Sequence, residues 1–194
     1  MCSSDLIVVD ATLPLVGDDR SGLYFSLESV REAAGDTTGM RALQERHLTM
    51  LEREAARATL ADARAVYDAH RLTLYLALGR PEAAVPMLQA SQRDLPDDYN
   101  PSQRLATAYK AMKRWPDALA ASDRALAKAY GPRQFLVLNT RADIQLGMAD
   151  TTAAVATLRD AFTRAQHMPE GQRSQGTIAG LRKRLAGLGV TLPE

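Results

Sequence analysis

The sequence predicts an all-α protein made of stacked helical hairpins, and three observations carry that expectation. Aromatic residues make up only 5% of the 194 residues, while 46% are apolar and alanine is abundant. That balance favours close contact between helices over a sheet sandwich built on Val, Ile and Tyr. Apolar residues recur three and four positions apart from residue 23 onward, the spacing of one helix face. A pattern of small residues returns after 34 positions and again after 36, a period that belongs to stacked supersecondary units.

The opening MCSSDL, residues 1–6, reads as a non-native leader. Cys-Ser-Ser-Asp-Leu is what TGC-TCT-TCC-GAT-CT plus any base encodes, and that string resembles the end of a common sequencing adapter. On this expectation the natural protein continues upstream and Cys2 carries no meaning. With one cysteine the chain has no internal disulfide, no Cys-x-x-Cys pair and no cysteine-rich zinc site. Residues 7–60 are expected to hold an N-terminal helical hairpin, a degenerate repeat. Its first helix, LYFSLESVREAAG (23–35), carries Leu23, Leu27 and Val30 at helical spacing and stops at Gly35. Its second, TTGMRALQERHLTMLEREAARA (37–58), carries Met40, Leu43, His47, Met50, Leu51 and Glu54.

Residues 61–169 are expected to form the repeated array. Aligning GRPEAAVPMLQASQRDLP (79–96) with KRWPDALAASDRALAKAY (113–130) sets Ala84 on Ala118, Leu88 on Ser122 and Ser91 on Ala125. A third copy, DTTAAVATLRDAF (150–162), places Ala154, Leu158 and Ala161 at the same positions. The reason for the alanines is steric: where antiparallel helices cross closely, only a small side chain lets the ridges of one settle into the grooves of the other. Glycine and proline punctuate the copies. Gly79 suits the left-handed end of a first helix. Pro81 and Pro116 suit the start of a second helix, where a missing N–H is no loss. Pro96 stops that helix, and Pro101 opens the next, with Asp97, Asp98 and Asn100 offering caps. Pro86 is the awkward one: in a helix interior it costs about 3 kcal/mol, so either a kink or a helix starting later than Pro81 is expected.

This pattern resembles the tetratricopeptide repeat family, whose unit is a helix-turn-helix of about 34 residues with small residues where its helices touch. First helices match in part. Copy two has Leu105, Ala106 and then Tyr109; copy three keeps Ala142 but has Gln145 at the aromatic position; copy one has Tyr75 but Leu72 where a small residue is usual. The resemblance implies a right-handed helical-hairpin solenoid of three to four helix pairs plus a C-terminal capping helix. Within residues 170–194, GTIAGLRKRLAGLG (176–189) sets Ile178, Leu181, Leu185 and Leu188 on one stripe and Arg182, Lys183 and Arg184 mostly elsewhere. That suits a cap, since terminal units of a stack need a polar outer face.

Catalytic signatures are absent: there is no phosphate loop, no His-Glu-x-x-His, no Gly-x-Ser-x-Gly and no dinucleotide fingerprint. His47, His70 and His167 stand apart from one another and lack metal-ligand spacing. The chain is therefore expected to be no enzyme by itself and to hold no cofactor and no metal. The resemblance implies binding of a protein or peptide on a concave face lined by first helices. Carried onto this sequence, it proposes Gln103, Thr107 and Lys110 from copy two, Asn139 and Asp143 from copy three, and His70 and Thr73 from copy one. This set departs from the lysine and asparagine clamp with which some members grip a terminal carboxylate.

Charge is uneven. Residues 1–100 hold 10 Lys+Arg against 16 Asp+Glu, a net of −6, and residues 101–194 hold 14 against 7, a net of +7. A basic half can attract acidic peptides, anionic lipid or nucleic acid, and solvated outer faces whose charges balance across neighbouring repeats account for the same asymmetry. Nucleic acid is disfavoured, because Arg133, Arg141, Arg159, Arg164 and Arg173 lack interleaved aromatics for base stacking. No stretch has the roughly 18 to 20 apolar residues that a membrane span requires.

A second expectation comes from PDDYNP, LAAS-DRAL and YGPR within residues 96–133. These look like the C-terminal helical-repeat part of exported bacterial proteins with an N-terminal thioredoxin fold. That likeness implies a periplasmic thiol-disulfide or folding factor whose catalytic domain lies outside this chain. An unbroken genomic reading frame tests it: no export signal and no Cys-x-x-Cys before residue 7 would leave a plain adaptor.

Overall fold

A computed structural model describes residues 20–191, and the chain divides into two compact units, Met1–Arg80 and Pro81–Glu194. The expected leader, residues 1–6, lies outside the described residues. Every regular element among the described residues is helical.

In the first unit, α1 (Arg20–Ala33) and α2 (Thr37–Arg57) form a hairpin, followed by the short α3 (Ala61–Ala65) and by α4 (Asp68–Ala77). Asp36 starts α2: its carboxylate accepts from the Gly39 N–H at 2.8 Å and also pairs with Arg31. The Gly39 bond, then Arg31, hold the Asp36 carboxyl below its ordinary range. The core joins Tyr24 of α1, Leu43, Leu48, Leu51 and Ala55 of α2, and Leu72, Leu74 and Tyr75 of α4. The stripe on α1 differs from the expected one. Val30 is 65% exposed and Leu23 and Leu27 are half-buried, whereas Tyr24 is buried. An aromatic ring fills the hairpin seam more completely than Val30 does, and α1 is turned accordingly.

In the second unit, a 3₁₀ turn (Pro81–Ala84) leads into α5 (Val85–Asp94), followed by α6 (Asn100–Ala111), α7 (Trp115–Leu126), α8 (Arg133–Gly147), α9 (Thr151–Gln166) and α10 (Gln175–Gly187). Pro86 therefore lies in the first turn of α5, where its missing N–H loses nothing. The later start of the helix resolves the awkward proline without a kink. Pro101 and Pro116 occupy the same place in α6 and α7. Helix α6 packs on α7, α7 on α8, α8 on α9 and α9 on α10. Ala84, Ala118 and Ala154 have no exposed surface, nor have Leu88, Ala125, Leu158 and Ala161. Ala106 and Ala142 of the first helices are equally enclosed. Tyr109 packs 7% exposed, its hydroxyl accepting from Gln89 Nε2 at 3.2 Å. At the equivalent place, Gln145 Oε1 accepts from Thr157 Oγ1 at 2.8 Å, so a buried polar pair replaces the ring.

The turn that closes α4, α6 and α8 is built the same way each time. Gly79, Lys113 and Ala149, spaced like the repeat, all take positive φ, at 74°, 57° and 61°. Behind each, the next N–H reaches back five residues: Arg80 to Tyr75 O at 2.8 Å, Arg114 to Tyr109 O at 2.9 Å, and Asp150 to Gln145 O at 2.9 Å. This closure satisfies carbonyls that the helix end would otherwise leave without partners. Only the first copy places glycine there.

Candidate partner-binding face

Polar side chains of α6, α8 and α10 meet in one row. Lys110 Nζ lies 3.1 Å from Asp143 Oδ2, and Arg184 Nη2 lies 2.5 Å from Asp143 Oδ1. Arg184 Nη1 also donates to Asn139 Oδ1 at 2.6 Å. Asn139 Nδ2 donates to the Phe135 carbonyl at 2.8 Å, which fixes the amide so that its oxygen faces Arg184. All four side chains are partly exposed. Each ion pair is then worth at most about 1 kcal/mol in stability. Two cations share one carboxylate, so the row keeps a positive balance. Thr107, half-buried on α6 a turn before Lys110, donates its hydroxyl to the Gln103 carbonyl at 3.2 Å.

Gln103 belongs to the interior. It is 5% exposed, and its Nε2 donates to Thr140 Oγ1 at 2.7 Å across the α6–α8 seam. Its Oε1 is buried without a partner among the described residues. The expected reading of Gln103 as an outward contact is corrected on that ground: a side chain closed into a helix seam has no face left for a partner. His70 and Thr73 are exposed on α4 of the first unit. His70 meets Phe25 edge-on at 5.3 Å, and Thr73 donates to the Ala69 carbonyl at 3.1 Å.

Beside the row, α8 and α10 flank an open cleft of about 510 Å³. Pro132, which caps α8, and Phe135, Leu136 and Asn139 within it line one side; Thr177, Gly180, Leu181 and Arg184 of α10 line the other. Both sets run i, i+3, i+4, i+7, so each helix turns one stripe to the cleft. Sequence reasoning found the core stripe of α10 but not this second one, although its spacing is legible in residues 177–184. Arg184 belongs to it, turned towards α8, while Arg182 and Lys183 are exposed.

Three of the basic-half arginines are held by separate partners. Arg141 pairs with Asp123 and donates to Ser122 Oγ at 3.2 Å; Arg164 pairs with Asp160 and Gln134; Arg173 caps the Met168 carbonyl. Arg133 does meet aromatics, lying 5.9 Å from the Tyr99 ring and 5.6 Å from the Tyr130 ring. A bond to the Tyr99 hydroxyl, then the charge influence of Tyr130 and Tyr99, raise its pKa.

In the first unit, His47 Nε2 lies 3.1 Å from Ser21 Oγ, and its Nδ1 lies 3.3 Å from Glu28 Oε1. The order is that of a nucleophile, base and orienting acid. His47 nevertheless has 0% exposure and stacks on Tyr24 at 4.6 Å. Ser21 and Glu28 are half-buried on α1 and His47 is on α2, so the ring bridges the two helices of the hairpin. Among the described residues no three His, Cys, Asp or Glu side chains gather as a metal site, and no helix is long and apolar enough to cross a membrane. Comparison with protein-family models, with curated proteins and with solved structures finds no match.

Proposed function

We propose that this chain is a protein-interaction or scaffolding module, a tetratricopeptide-like array of helix pairs closed by α10, which binds a protein or peptide on the face carried by α6, α8 and α10. One observation carries the reading: Lys110, Asp143, Asn139 and Arg184, from the alternate helices α6, α8 and α10, converge in a single partly exposed row. Packing alone has no need of such a row, since the helices already bury alanine and leucine on their contact sides. Polar groups held in place by their neighbours bind with little ordering cost. The 34- and 36-residue spacing of Gly79, Lys113 and Ala149 supports the repeat architecture.

Affinity capture with the full chain and with a Thr107→Ala, Lys110→Ala, Asn139→Ala variant tests the proposal, with stability of both measured in parallel. A protein retained by the native chain and lost by an equally stable variant supports it. The same proteins on both sink this face.

A further inference from the structure

We propose that the cleft between α8 and α10 is a docking groove for an amphipathic helical segment that carries apolar anchors and carboxylates. This rests on the protein-binding reading above and names the chemistry of the partner. The floor is apolar: Phe135 and Leu181 are 7% and 2% exposed. Leu136 forms a wall and is 54% exposed, an apolar side chain left facing the opening. A groove between two helices is the usual seat of an amphipathic third, which enters with residues at i, i+3, i+4 and i+7. The volume suits one or two large aliphatic or aromatic side chains.

Gly180 shapes the groove. A Cβ built on it meets nothing within 4 Å, so the α10 backbone itself faces open space. Glycine inside a helix costs about 0.5–1 kcal/mol relative to alanine. Here it leaves room for another chain to approach the α10 backbone closely.

Charge selects the sign of the partner. Among the described residues Arg184 is the one charged residue lining the cleft. It donates through Nη1 and Nη2 to Asn139 and Asp143, and its Nε–H has no partner among the described residues. Arg133 stands on the same first turn of α8 as Pro132, and Lys110 continues the positive row past Asp143. A carboxylate one turn from an apolar anchor meets this edge, whereas an ammonium is repelled.

The test is fluorescence anisotropy of the full chain with three labelled peptides of about 16 residues, long enough to present four anchors in a groove. One has leucines at i, i+3, i+4 and i+7 with glutamates between; a second replaces the glutamates with lysine; a third replaces the leucines with serine. The first is expected to bind and the other two to bind at least about tenfold more weakly, a difference of roughly 1.4 kcal/mol. Gly180→Leu fills the groove with a good helix former. It is expected to weaken the first peptide at least about tenfold while thermal stability is unchanged or higher. Equal binding of glutamate and lysine peptides overturns the proposal, as does undiminished binding by Gly180→Leu. No binding of any peptide overturns it too, while protein capture compared between the native chain and a Thr107→Ala, Lys110→Ala variant, whose two positions lie outside the cleft lining, decides the broader reading separately. Self-association abolished by Gly180→Leu would assign the groove to a second copy and overturn the acidic partner.

Discussion

Arg184 Nη2 stands 2.5 Å from Asp143 Oδ1, so a guanidinium near the end of α10 is tied to a carboxylate on α8, and the same carboxylate takes Lys110 of α6. Asp143→Ala removes the partner of both cations. Because these groups are partly exposed, the expected loss of stability is only about 1 kcal/mol. Hydrogen exchange is the sharper readout. Amides of α10 should exchange faster in the variant while those of α7 do not, and unchanged α10 exchange would show that the row does not hold that helix.

Lys113 and Ala149 occupy the left-handed region where copy one has Gly79. A side chain there costs about 1–2 kcal/mol, part of which is offset by the unfolded-state entropy that glycine adds. Lys113→Gly and Ala149→Gly are each expected to stabilise the second unit by about 0.5–1 kcal/mol, and Gly79→Ala to destabilise its own turn. Urea unfolding checks all three. A loss of stability in both glycine variants would mean that the turn geometry is not as described.

Gly147 lies under the single tryptophan. A Cβ there would come within 2.5 Å of the Trp115 ring. Ordinarily Gly→Ala near a helix end is neutral or favourable. Here Trp115 must move, so Gly147→Ala is expected to shift the emission maximum of the one indole and to destabilise by about 1–3 kcal/mol. Unchanged emission together with raised stability would contradict this contact.

His47→Ala removes a fully enclosed ring along with its bonds to Ser21 and Glu28. The expected loss is about 2–4 kcal/mol, from the cavity and from stranded polar groups. Chemical denaturation followed at the α1–α2 hairpin measures it. A loss below about 1 kcal/mol would show that the trio does not anchor the hairpin.

Burial, reinforced by the Glu52 carboxylate 2.5 Å from its hydroxyl, raises the Tyr75 pKa above 10.0. The folded state thus holds this proton more tightly than the unfolded chain. The associated stability is fully present below pH 10.0 and is lost as pH rises through the higher folded-state value. The first unit should therefore loosen in alkali. Tyr75→Phe should flatten that part of the pH profile, and an identical alkaline slope in the variant would reject the assignment.

Much of the fold was legible because helix contacts in this chain are made by small residues at fixed spacing. Ala84, Ala118 and Ala154 had only to be aligned for the crossings to be located, and Pro86 had only to be moved into a first turn. The α1 stripe was misread because Leu23, Leu27, Val30 and Tyr24 fit a helical period about equally well. Which face is buried depends on what stands opposite, and there His47 lies flat on Tyr24. Gln103 was misread for a related reason: a glutamine on a first helix looks like a solvated contact until Thr140 of the next helix closes over it.

The sequence by itself determined the helical class, the spacing of the small residues and the prolines that open the helices, since these are set by interactions within about one turn or one repeat. Only the tertiary structure decided that Lys110, Asn139, Asp143 and Arg184 form one row, that α8 and α10 leave a cleft, and that Ser21, His47 and Glu28 meet at the α1–α2 seam. Those groupings join residues 19 to 45 positions apart. Their meeting depends on how helices rotate about their axes, which is set by side-chain packing between helices; a stripe such as that in residues 177–184 is legible locally, but not which helix it faces.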